Sequence, residues 1–151
     1  MGDYYTATGS QDVTTATPGD TSLSIAGVAT ARGRISAWTV SMGGTPADNA
    51  VRFIAQRFTA AGTSTGVTPA ENDLDGPVAL MVCGENHSVE PTYTASGELF
   101  DQLPNQRATY RHVLEPRGEW VVPASATGGV GWVGFHASYT GSIEVTASWW
   151  E

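Results

Sequence analysis

Lysine is absent from this chain, cysteine occurs once, and charges of either sign are sparse. All seven basic side chains are arginine, at positions 32, 34, 52, 57, 107, 111 and 117, against 15 Asp and Glu, for a net charge of −8. The arginines form no run, and Arg32 and Arg34 are the only tight pair. An acidic chain with scattered cations is not built to neutralise a phosphate backbone, so nucleic acid is disfavoured as a main partner. The lack of lysine reads as the coding bias of a GC-rich genome. With Cys83 alone, no internal disulfide can form. No apolar run approaches the roughly 18 residues of a membrane-spanning helix. Met1-Gly2-Asp3-Tyr4-Tyr5-Thr6 lacks the basic-then-apolar pattern of a secretion signal. The expectation is a soluble protein made in the cytoplasm, with no membrane partner.

The chain is also poor in the residues that make long helices. Thr, Ala, Gly and Ser dominate, with 18 Gly and 8 Pro supplying turns. Five Trp, five Tyr and four Phe, in a chain of 151 residues, suffice for one buried core. β-Branched and aromatic residues fall in short runs between turn signals, which predicts strands.

Residues 1–20 have few bulky apolar groups and close on Pro18-Gly19-Asp20. They read as an extended N-terminal arm outside the core. Strands are expected at 21–25, 33–42 and 50–58. A long polar connection follows, over 60–77. Val78 to Cys83, continuously apolar, reads as a buried strand, and 85–91 as a loop. Further strand pieces are expected at 93–103, 108–114, 119–122, 131–139 and 143–151. Thr140-Gly141-Ser142 suggests a hairpin between the last two. About eight strands in an all-β chain predict a single jelly-roll-like β-sandwich over 21–151.

Several motifs invite chemistry but lack its context. Gly62-Thr63-Ser64-Thr65-Gly66 matches a nucleophile elbow, which needs a strand turning into a helix. Val67-Thr68-Pro69 is poor helix material. Gly129-Val130-Gly131-Trp132-Val133-Gly134 matches a dinucleotide fingerprint but runs into a strand. Asp73-Leu74-Asp75-Gly76 resembles the start of a calcium loop without its later ligands. Asn86-His87-Ser88 is a glycosylation sequon that carries little weight without a secretion signal. Cys83, Glu85 and His87 are the weak metal candidates. Their i, i+2, i+4 spacing puts three zinc-ligand types on one strand face, with His112 or His136 needed as a fourth. The bland reading is a buried thiol followed by a polar loop. No spacing among the three histidines selects a general base. The expectation is therefore no enzyme, no cofactor and no resident metal.

The terminal Trp149-Trp150-Glu151 is harder to dismiss. Neighbouring strand residues face opposite sides, so one Trp fills the core and the other needs cover from the arm, a subunit or a ligand. Tyr4, Tyr5, Trp149 and Trp150 are accordingly the contact candidates. A sugar-binding module is the alternative, with Trp120, Trp132, Tyr93 and Tyr110 available for stacking.

Gly33-Arg34-Ile35-Ser36-Ala37-Trp38, the stretch Ala61 to Pro69, Glu90-Pro91-Thr92 and the acidic end of Trp149-Trp150-Glu151 together resemble short virion proteins of tailed phages. The resemblance covers most of 20–151. It implies a β-sandwich decoration (cement) protein on the outside of an icosahedral head, with the major capsid protein as partner and a homotrimer as assembly. It carries no catalytic residue.

Overall fold

Alternation of apolar and small polar residues organises the whole chain. A computed structural model describes residues 2–13, 19–135 and 141–151; His136, Ala137 and Tyr139 lie outside them, as does the 14–18 part of the expected arm. Among the described residues there are twelve strands and no helix. They are β1 (Tyr4–Val13), β2 (Asp20–Ala26), β3 (Gly33–Met42), β4 (Arg52–Ala60), β5 (Thr63–Val67) and β6 (Ala70–Glu71). The rest are β7 (Val82–Val89), β8 (Thr92–Gln102), β9 (Tyr110–Val113), β10 (Trp120–Val122), β11 (Gly129–Phe135) and β12 (Gly141–Trp150). The first sheet runs β10-β3-β12-β1-β6, with β9 also on β3; the second runs β5-β7-β2-β11-β4-β8. Every pairing is antiparallel.

The two sheets face each other as a β-sandwich, as the composition predicted. Tyr5, Ala7, Ile35, Trp38, Val40, Ile143, Val145, Ala147 and Trp149 line the inner face of the first. Leu23, Ile25, Phe53, Ala55, Cys83, Val130 and Trp132 line that of the second. Burying a large aliphatic or aromatic side chain is worth about 1.5–3 kcal/mol, so this layer dominates stability. Trp38 sits in an aromatic cluster with Phe53, Phe100, Tyr110, His112 and Trp120, which plugs one open side of the sandwich.

Five local expectations need correction. First, the N-terminal segment is not an arm over its described part. β1 pairs with β12 along ten residues and with β6 on its other side, and Tyr5, Ala7 and Val13 are core. Its small residues hid this. A Cβ on Gly9 would come within 2.7 Å of the Ser22 carbonyl oxygen and 3.0 Å of Leu23, so lack of bulk is what lets the sheets approach. Second, the polar connection over 60–77 contains β5 and β6. Third, Val78 to Met81 is not a buried strand. Met81 and Cys83 point inward, whereas Val78, Leu80 and Val82 are exposed. A continuous apolar run cannot say whether both of its faces are covered. Fourth, the expected loop at 85–91 is strand as far as Val89. Asn86 takes a left-handed φ of 47° inside an irregular stretch of the β5–β7 pairing, a conformation Asn tolerates. Fifth, β11 and β12 form no hairpin; they lie in different sheets.

Candidate functional site

The metal candidates separate as soon as their partners are traced. Cys83 faces the core, where burial, helped by the charge of Glu151, pushes its thiol up to about 12. Such a thiol is neither nucleophile nor ready ligand. Glu85 Oε2 accepts the Ser10 backbone N–H at 2.8 Å. His87 is buried on another network. Its Nδ1 is 3.1 Å from the Thr21 carbonyl, which can only accept, so Nδ1 carries the proton and Nε2 accepts from the Ser24 hydroxyl at 3.0 Å. No group of three or more His, Cys, Asp or Glu suited to a metal occurs among the described residues.

Ser24 and His87 have the contact of a nucleophile and its base. Ser24, however, is only 3% exposed, and its place on β2 between β7 and β11 leaves no approach for a substrate. The network continues to Glu90, whose Oε2 accepts from both the Thr21 N–H and the Thr21 hydroxyl, and to Tyr93, whose hydroxyl lies 2.7 Å from Thr21 Oγ1. Burial lowers the pKa of His87, opposed by its bond to Thr21, and raises those of Glu90 and Tyr93. These shifts follow from desolvation of groups that hold β2, β7 and β8 together. Sequence spacing gave no sign of this cluster, because its members come from β2, β7, β8 and the β7–β8 connection.

The decoy motifs resolve locally. Ser64 lies on exposed β5, with Gly62 at φ 72° and no helix after it. The glycines of 129–134 lie inside buried β11; a side chain on Gly129 would collide with the Ile25 backbone and the Phe58 ring. Asp73 closes its own turn, accepting from Asp75 N–H at 3.1 Å through its carboxylate.

The contact candidates do come together. Tyr4 pairs with Trp150 and Tyr5 with Trp149 across the β1–β12 ladder. Tyr5 and Trp149 are core, while the Tyr4 and Trp150 rings meet outside at 4.4 Å and Trp150 remains 40% exposed. Tyr4 also bonds Ser36 through its hydroxyl at 3.0 Å. Glu151 has a definite task. Its carboxylate accepts from Trp149 Nε1 and Met81 N–H, each at 2.9 Å, and from Leu80 N–H at 2.7 Å. Tyr5 donates its hydroxyl proton to the Pro77 carbonyl at 2.8 Å. These bonds fix residues 77–81 against the Trp149 end of the sandwich, with Val78, Leu80 and Val82 turned to solvent at 75, 52 and 60% exposure and Leu74, in the preceding turn, at 96%. Sequence reasoning missed that outward stripe by reading it as core.

The aromatics proposed for sugar stacking are not free. Trp132 is fully buried, Trp120 nearly so, Tyr93 is bonded to Thr21, and Tyr110 packs on Trp38 and Phe100. No family model matches the chain, and no curated protein or solved structure shows significant similarity to it.

Proposed function

We propose that this chain is a virion structural protein that seats on the outside of an icosahedral phage head, acts as a homotrimer and reinforces the shell. The observation that carries the reading is the outward aliphatic row Val78, Leu80 and Val82, tied down through the Pro77 carbonyl and the Leu80 and Met81 N–H groups, with Leu74 exposed in the turn before it. Soluble monomers seldom leave such a group uncovered, and a pre-ordered apolar patch docks with little entropy loss. Several strand edges are blunted. β6 and β10 are two and three residues long, β5 is short and polar, and the β4–β8 pairing is broken by register shifts. Such features discourage edge-to-edge association. Trimeric display would multiply weak contacts by avidity.

Heads purified from a lysate lacking this gene provide the test. The purified protein is expected to co-sediment with them and to scatter light as a trimer. A Val78→Asp/Leu80→Asp variant, altered at exposed positions, is expected to keep its far-UV spectrum and lose co-sedimentation. Undiminished co-sedimentation of that variant would remove the stripe as the anchor, and failure of the parent protein to bind would overturn the reading.

A further inference from the structure

The outer face of the first sheet has a different character from the aliphatic stripe. Its register stacks small hydroxyl residues in rows across the strands. Thr8, Thr146, Thr39 and Arg111 form one row, and Thr6, Ser148, Ala37 and Val113 the next. Tyr4, Trp150 and Arg34 close the face at one end, and Ser10, Glu144 and Ser41 lie at the other. Thr8 and Thr146 share a hydrogen bond at 2.8 Å and Thr6 and Ser148 one at 2.9 Å, which fixes the hydroxyls while leaving each oxygen able to bond again. Between Arg111 and the Thr146–Ser148 ridge, over the backbone of Ala37, Trp38 and Thr39, lies an open pocket of about 200 Å³. Ala37 is what keeps its floor low. Among the described residues the one ion pair is Arg52 with Asp101, so Arg34 and Arg111 reach this face without a carboxylate partner.

We propose that this face binds an oligosaccharide bearing carboxylate or sulfate groups. Fixed hydroxyls in flat rows suit a polyhydroxylated ligand, Trp150 supplies a surface for a sugar ring at one end, and the two unpaired guanidiniums select an anion. Around the pocket the backbone groups of β3 and β12 are committed to neighbouring strands on both sides, so a peptide has no edge to join there. From Trp150 to the Arg111 row is roughly 13 Å along the strands and about 10 Å across them, a span for several linked sugars rather than one. The site is independent of the capsid reading, because no residue of the aliphatic stripe belongs to it.

Trp150 is the one tryptophan above 9% exposure, so its emission reports occupancy directly. Hexamers of galacturonate, of a sulfated glycan and of dextran are titrated against the intact protein. Saturable emission changes are expected with the acidic hexamers and none with dextran; the preference between the first two identifies the anion. Arg111→Gln and Ala37→Leu, which fills the pocket, are expected to weaken binding at least tenfold with an unchanged melting temperature. Arg117→Gln, on the turn after β9, serves as the charge control and is expected to bind normally. Val78→Asp/Leu80→Asp is expected to bind sugar normally while losing capsid attachment, which separates the two readings. Absence of saturable binding to both acidic hexamers, equal binding of dextran, or an equal loss in Arg117→Gln would overturn the proposal.

Discussion

The two outer faces of the sandwich are built from similar small polar residues and end in opposite states. The face of the first sheet is open, with Thr6, Thr8, Thr39, Thr146 and Ser148 carrying few bulky neighbours. That of the second sheet is closed. Tyr93 lies across β11, Phe58 packs edge-on to it, and Ile54, Phe58, Val133, Ser22 and Ser24 are buried. The difference lies in what the titratable groups are free to do. On the closed face His87 and Glu90 are consumed by bonds to Thr21 and Ser24. On the open face Arg34 and Arg111 keep their hydrogen-bonding capacity.

The largest effect that would break this contrast is a side chain on β11. Gly129→Ala drives a methyl into the Ile25 backbone and the Phe58 ring, and backbone cannot step aside. We expect a loss of about 3 kcal/mol in urea unfolding, at the upper end for overpacking. A loss under 1 kcal/mol would mean that the closed face is loosely packed. His87→Gln sharpens the contrast through pH. Because burial depresses the His87 pKa in the fold, its contribution is present above the unfolded value of about 6.5 and fades as pH falls toward the lowered folded value. Glu90 has the opposite sign. Its raised pKa favours the fold below the unfolded value of about 4.5, and that contribution is lost as pH rises through the folded one. His87→Gln is expected to cost about 1–2 kcal/mol at pH 7 through the lost Ser24 bond and to flatten the stability loss expected of the parent below pH 6.5. An unchanged pH profile would show that His87 titrates as an exposed imidazole. The smallest effect belongs to the open face: Thr8→Val is expected to change stability by less than about 0.5 kcal/mol, as for an exposed cross-strand pair. A larger loss would mean the hydroxyl ladder is structural.

Much of the sandwich was legible along the chain. β3 matches its expected limits of 33–42, and Trp149-Trp150 divides between core and surface as strand alternation requires. Failures came where a residue type is ambiguous about its surroundings. Gly9 looks like filler until Leu23 is placed opposite, and Val78 to Cys83 looks doubly buried until one side proves to be water. At the candidate sites, the Trp150 end was readable because two adjacent aromatics cannot both face inward. The Arg111 pocket was not, since its lining comes from β3, β9 and β12, more than a hundred residues apart at the extremes.

Local chemistry by itself determined the all-β class, the short strands, the lack of an internal disulfide and the absence of a helix after the nucleophile-elbow and dinucleotide motifs. Each rests on propensity, spacing or count, which act within a few residues. Only the tertiary structure decided that the N-terminal segment is a sheet strand paired with β12 along ten residues, that Glu151 clamps residues 80 and 81, and that Val78, Leu80 and Val82 face solvent. Those outcomes depend on which strands become neighbours. A neighbour seventy or more residues away leaves no mark on the local pattern, because burial is a property of the assembled face and not of the side chain.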